Sequence, residues 1–131
     1  MKIIALLVIL LLSFSLHAEV RCDINFPSTS QCAQINWTYG PFEDQFNSFI
    51  ITIDNKSVIK TIKVIPWMVM SEGHEHGGRA VKMTTIGDLV FNVENAYFMG
   101  GMNGSWYLKI QLMDSSSKII DEARYLVNLK K

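Results

Sequence analysis

Apolar and polar positions alternate with period two through most of the chain. Ile35, Trp37 and Tyr39 alternate with Gln34, Asn36 and Thr38. Phe49, Ile51 and Ile53 form the next inward set, followed by Ile62 and Val64, then by Leu89, Phe91 and Val93. Trp106, Leu108, Ile110 and Leu112 alternate with Tyr107, Lys109 and Gln111, and Ala123, Tyr125, Val127 and Leu129 close the series. A strand with one face in a core and the other in water produces this pattern. An amphipathic helix would repeat about every 3.6 residues, and no long stretch does so. Turn-forming clusters separate the runs: Tyr39-Gly40-Pro41, Asp54-Asn55-Lys56, Gly77-Gly78, Gly87-Asp88, Gly100-Gly101, Asn103-Gly104 and Asp114 to Ser117. With Arg79 to Thr85 added, the pattern predicts an all-β domain, an immunoglobulin-like antiparallel β-sandwich of about seven strands. A small antiparallel barrel is the competing way to close the same strands.

The first residues break the alternation. Met1-Lys2 is a short positive start, Ile3 to Leu12 is unbroken apolar sequence, and Ser13 to Ala18 ends in a small residue suited to signal peptidase. This is the layout of a secretory signal over residues 1–18, cut before Glu19. An N-terminal membrane anchor is the competing reading, but a spanning helix needs about 20 apolar residues. The expected mature unit is a single β-sandwich over residues 19–131, and its expected location is periplasmic.

Loss of Lys2 leaves 11 basic residues against 12 acidic, a net charge of −1. Nothing in that balance steers toward nucleic acid, and no basic patch is interleaved with aromatics. Two cysteines remain, Cys22 and Cys32, in a Pro/Ser/Thr-rich stretch. An even count in an exported chain favours a disulfide over a metal pair.

Two segments do not fit the strand scaffold. "WMVMSEGHEHGG", residues 67–78, carries Met68 and Met70, then His74 and His76, each pair at i, i+2 spacing. Pro66 cannot donate to a central ladder, so the chain is expected to leave the sheet there. "ENAYFMGGMNGSW", residues 94–106, places Met99 and Met102 in a glycine-rich turn. Loops of a sandwich cluster at its two ends. If 66–78 and 98–104 share an end, these sulfurs and imidazoles converge.

Such a set suits copper. Thioether is soft and neutral and favours Cu(I), while imidazole accepts Cu(I), Cu(II) and Zn(II). Zinc sites more often draw on Cys, His and carboxylate, and nickel or zinc on His74-x-His76 alone is a further option. The plainer readings compete at each residue. Met68 and Met70 could fill gaps in the core, His74-x-His76 could be a solvated turn, and Met99 and Met102 could close the end of the sandwich. Trp37 and Trp106 read as core anchors. Trp67 would either shield a metal or pack at the sandwich end, and Glu72 and Glu75 could support the histidines. There is no GxSxG, HExxH or phosphate-loop motif, so no enzyme activity is expected.

The order of features is also familiar: Cys22-x9-Cys32 before the Trp37 strand, Trp67-Met68, Gly73-His74 and His76-Gly77, then Met102-x-Gly104-x-Trp106. This order resembles the YtkA-like/FixH-like periplasmic domain family over about Cys22 to Leu129, with "GSWYLKIQLMD" as its best-matching piece. Val69 and Ser71 depart from that family's usual first loop. The resemblance implies an immunoglobulin-like fold and a bacterial envelope protein linked to copper handling. Met68, His74 and Met102 carry over by position; Met70, His76 and Met99 do not. The expected function is a periplasmic copper-binding carrier or chaperone, with a copper-receiving or membrane-bound envelope protein as partner. The alternative is a non-metal immunoglobulin-like protein-interaction module.

Overall fold

A computed structural model describes residues 21–54 and 58–131. The expected signal segment 1–18 and its cut before Glu19 lie outside the described residues. Nine strands follow one another without a helix among the described residues: β1 (Ile24–Asn25), β2 (Cys32–Tyr39), β3 (Phe46–Ile53), β4 (Thr61–Met70), β5 (Glu75–Gly77), β6 (Lys82–Gly87), β7 (Val90–Tyr97), β8 (Gly104–Met113) and β9 (Ile119–Leu126). Seven of them run six to ten residues, while β1 and β5 have two and three. They form one sheet in the order β1-β2-β3-β7-β6 and a second in the order β5-β4-β8-β9. All strand pairings are antiparallel. The chain crosses between sheets after β3, β5 and β7, which gives the immunoglobulin-type arrangement, extended by β1 on one sheet and β5 on the other.

The inward sets meet between the sheets. Phe49, Ile51 and Val93 are 0–1% exposed, as are Leu108, Ile110 and Leu112 on the opposite sheet. Burying an aliphatic or aromatic side chain of this size contributes about 1.5–3 kcal/mol. Alternation with period two lets one strand supply such residues to one face only. Tyr39 is the exception among the inward positions, 47% exposed. The β2–β3 register shifts between Trp37 and Tyr39, and such a bulge turns the following side chain off the core face.

The Cys22–Cys32 disulfide is formed, with Cα atoms 5.5 Å apart. It ties the residues before β1 to the start of β2. The β1–β2 turn is held again from β9, where Asp121 accepts from the Ser28 N–H at 3.0 Å, the Thr29 N–H at 2.7 Å and the Thr29 hydroxyl at 2.8 Å.

Pro66 does not end its strand. It lies buried inside β4, opposite Leu108 of β8. Its carbonyl accepts the Gly78 N–H at 2.8 Å, on the flank away from β8. In an antiparallel strand the N and O of one residue point to the same flank. The missing N–H therefore faces the open flank, and no bond to β8 is lost.

Four segments gather at one end of the sandwich. Met70 stands opposite Gly104, and the Ser71 N–H donates to Asn103 O at 2.9 Å, so the turn after β4 lies against the turn before β8. Phe46 stands opposite Tyr97, which brings the β2–β3 loop to the same end. Phe42 bridges to Lys130 near the C-terminus. Asn47, 1% exposed, fastens this end from within. Its Oδ1 accepts the Phe42 N–H at 2.7 Å, and its Nδ2 donates to the carbonyls of Phe42, Gln45 and Ala96. Gly40, at φ +94°, must be glycine on two counts, since a Cβ there would stand 2.0 Å from Asn47 Oδ1.

Candidate functional site

The stretch 67–78 is not a loop but the arm of a hairpin. β4 runs on to Met70, three residues turn, and β5 returns beside it. The Met70 N–H donates to His74 O at 2.7 Å and the Gly73 N–H to Met70 O at 2.9 Å, with Gly73 at φ +95°. A three-residue hairpin turn places a left-handed residue at that last position, which glycine fills without strain. The register sets Met68 opposite His76 and Val69 opposite Glu75. The i, i+2 spacing now has a structural meaning: Met68, Met70, His74 and His76 share one face of the hairpin, and Trp67, Val69, Glu75 and Gly77 share the other.

The outer face is an ionic and aromatic clasp. The Trp67 indole N–H donates to Glu75 Oε1 at 3.0 Å, and Arg124 Nη1 of β9 donates to the same oxygen at 2.6 Å. Lys109 Nζ lies 3.2 Å from the Trp67 ring centroid. Hydrogen bonds from Trp67 and then Arg124, with the nearby positive charges, hold the Glu75 carboxyl below the usual range. Trp67 therefore lies away from the methionines, and Glu75 is committed to Trp67 and Arg124 instead of a histidine. What the clasp does is hold the three-residue β5 against β4, so that His76 is presented on the inner face.

On that inner face His76 meets the turn before β8. A cleft of about 350 Å³ is lined by His76, Met99, Met102, Trp106, Tyr97 and Arg79. A second, of about 370 Å³, has Met68, Met99, Met102, Trp106 and Glu43 in its walls. Met99 and Met102 thus stand between the two, with His76 on one side and Met68 on the other. Met68 is 0% exposed and part of the core, Met102 is half-buried, and Met99 is 47% exposed. Met70 packs against the core beside the hairpin turn, and His74 is exposed next to it. Neither lines the His76 cleft. Of the six residues singled out in the sequence, His76, Met99 and Met102 line one cleft, Met68 lines the adjoining cleft with the same two methionines, and Met70 and His74 lie farther out along the same hairpin face.

Trp106 organises the convergence, and the sequence offered it only as a core anchor. Its Nε1 donates to Met99 O at 2.9 Å, which fixes the methionine-bearing turn. Phe98 packs edge-on against it at 5.6 Å between centroids. A Cβ on Gly78 would stand 3.1 Å from the indole, so glycine lets β5 and Trp106 approach closely. On the β2–β3 side, Asp44 Oδ1 accepts the Gly100 N–H at 2.9 Å and so pins the same turn from outside.

The donors in the His76 cleft are neutral: two thioethers and an imidazole. Its one charged wall residue is Arg79, whose guanidinium sits 4.3 Å over the Tyr97 ring. Among the described residues no three His, Cys, Asp or Glu side chains come together as a metal-holding group. In the His76 cleft the imidazole of His76 stands with the sulfurs of Met99 and Met102 as the side-chain groups able to ligate a soft metal. Thioethers are soft and uncharged, so this set suits a soft monovalent ion better than a hard divalent one.

Fold and site together define an immunoglobulin-like sandwich with a thioether–imidazole cleft at one end. No family model, curated protein or solved structure matches the chain.

Proposed function

We propose that the chain is an exported copper-binding protein, a carrier or chaperone, that takes Cu(I) in the cleft between His76 and the Met99/Met102 turn. The observation that carries this reading is the convergence of His76, Met99 and Met102 on one cleft, with Met68 behind them. Thioethers bind without releasing a proton, favour Cu(I), and survive in a compartment that oxidises thiols. The Cys22–Cys32 disulfide fits such a compartment. Exposure of Met99 suits a cargo that must be passed on, because one ligand can be exchanged from outside while Met68 and Trp106 stay in place. On this reading residues 1–18 direct export to the periplasm, the resemblance to YtkA-like/FixH-like domains is one of function, and the partner is a copper-receiving envelope protein.

The test is an anaerobic Cu(I) titration of the mature chain against a chromophoric chelator, followed by X-ray absorption on the loaded protein. One Cu(I) per chain in a mixed sulfur and nitrogen shell is expected. A shell without sulfur, or affinity unchanged by Met99→Leu together with Met102→Leu, overturns the assignment and leaves the protein-interaction reading.

A further inference from the structure

We infer that the open flank of β4 is a docking site for an extended, acidic-apolar peptide strand of a partner protein. β4 lies inside its sheet only in part. β5 covers Trp67–Val69, and among the described residues no strand pairs with that flank over Thr61–Pro66. The hydrogen bond of Ser71 to Asn103 on the β8 side, and those of Pro66 and Met70 on the other side, fix which residues face outward. Counting back by twos, Ile62 and Val64 direct their N–H and C=O groups to the open flank. Unpaired edge groups of this kind accept an added strand.

The flank opens onto an apolar groove of about 350 Å³ lined by Ile62, Val64, Pro66, Val81 and Met83, with the exposed Lys63 and Arg79 also in its walls. That volume falls within the range of about 300–1,000 Å³ typical of binding sites. On a strand added here, side chains opposite Ile62 and Val64 would enter the groove, and the one opposite Lys63 would stand outward beside it.

Charge selects the occupant. Among the described residues the groove has two cations in its walls and no carboxylate. Among the described residues neither Lys63 nor Arg79 has an ion-pair partner. A second copy of this chain fits poorly, because antiparallel self-pairing centred on this edge sets Lys63 against Lys63, and like charges directly opposite destabilise a strand pair. A strand that alternates apolar residues with carboxylates satisfies the edge, the groove and the charges at once. Gly78 and Arg79 border both this groove and the His76 cleft, so a strand docked here lies next to that cleft.

The probe is an end-blocked hexapeptide of alternating valine and glutamate, added to the metal-free mature chain while backbone amide exchange is followed by NMR. At saturation the Ile62 and Val64 amides should gain about tenfold or more in protection, as expected for newly paired edge groups. The same peptide N-methylated on its bonding amides, and a valine–lysine peptide, should give no such protection. Lys63→Glu and Arg79→Glu, both at exposed side chains, should each weaken binding of the acidic peptide about fivefold. Equal binding of the glutamate and lysine peptides overturns the inference. So does protection of Ile62 and Val64 already present in the free chain, whether from another segment or from a dimer seen by sedimentation. Because no metal is present, the outcome is independent of the copper reading.

Discussion

Replacing Asn47 with alanine should destabilise the domain by about 2.5–7.5 kcal/mol and loosen the methionine-bearing end. The side chain is 1% exposed and serves four backbone groups: the Phe42 N–H, and the carbonyls of Phe42, Gln45 and Ala96. These groups differ in what they can recover. Gln45 is exposed and Phe42 half-buried, so water can replace part of what the amide gave them. Ala96 is 0% exposed, and its carbonyl cannot be rehydrated without opening the sheet. One buried group left unsatisfied costs about 1–3 kcal/mol, and each lost but rehydrated bond about 0.5–1.5 kcal/mol. One such buried group and three rehydrated bonds together give about 2.5–7.5 kcal/mol, equivalent to a fall in Tm of about 10–30 °C for a domain of this size. Urea denaturation followed by tryptophan fluorescence reads it directly, with an unchanged m-value showing that the same surface is exposed. Asn47→Asp is the informative companion. It keeps the acceptor for the Phe42 N–H but turns a carboxylate toward three carbonyl oxygens, so it should be at least as damaging. The Met99/Met102 turn follows Ala96 directly, so Cu(I) affinity should drop in both variants under conditions where they are folded. A loss below about 1 kcal/mol for Asn47→Ala would refute the account, since it would mean that Ala96 O finds another partner.

Changing Met68, Met99 and Met102 together to leucine should cost under about 1.5 kcal/mol per site in stability, yet sharply lower Cu(I) affinity in a chelator-competition titration; retained affinity would return these residues to packing alone. His76→Asn should weaken Cu(I) binding in the same titration more than His74→Asn does, because only His76 lines the cleft. Burial by itself would raise the Asp121 carboxyl, but hydrogen bonds from the Thr29 hydroxyl and N–H, the Glu122 N–H and the Ser28 N–H outweigh it and hold it below the usual range. Its folded value is thus depressed, so its stabilisation is present above the unfolded value of about 3.9 and is lost as pH falls through the folded one. The stability gap between the natural chain and Asp121→Asn, read from urea midpoints, should therefore be constant near neutrality and close at acid pH. Reduction of the Cys22–Cys32 bridge, with thiols blocked, should lower stability by about 2–3 kcal/mol through the short loop it closes, measured as a shift in the denaturation midpoint.

The sequence by itself determined the seven longer strands, most of their inward faces and the disulfide, because each is written in local chemistry, whereas β1 and β5, two and three residues long, are too short to show a period. Alternation with period two marks Phe49, Ile51 and Ile53 or Leu108, Ile110 and Leu112 whatever strand lies beside them. An even pair of cysteines ten residues apart in a short Pro/Ser/Thr-rich stretch reads as a bridge, and the bridge is formed. The sequence also marked His76, Met99 and Met102 as unusual residues for turns. What it could not show was pairing. Pro66 reads as a strand breaker until its flank is known, and only the tertiary fold turns its missing N–H toward an open edge. "WMVMSEGHEHGG" reads as a loop because one short arm of a hairpin has too few residues to declare a period. The register that sets His76 opposite Met68, and sends Trp67 and Glu75 to the far face, is held by contacts from Arg124 and Lys109 on strands far along the chain. Asn47 escaped notice, and Trp106 read only as a core anchor, for a related reason. Their side chains bond backbone groups such as Ala96 O and Met99 O that come within reach only as the chain folds back, and such contacts leave no trace in the local pattern. Local periodicity fixes which face of a strand is wet; only the packed sheets decide which strand ends meet, and therefore which ligands share a cleft.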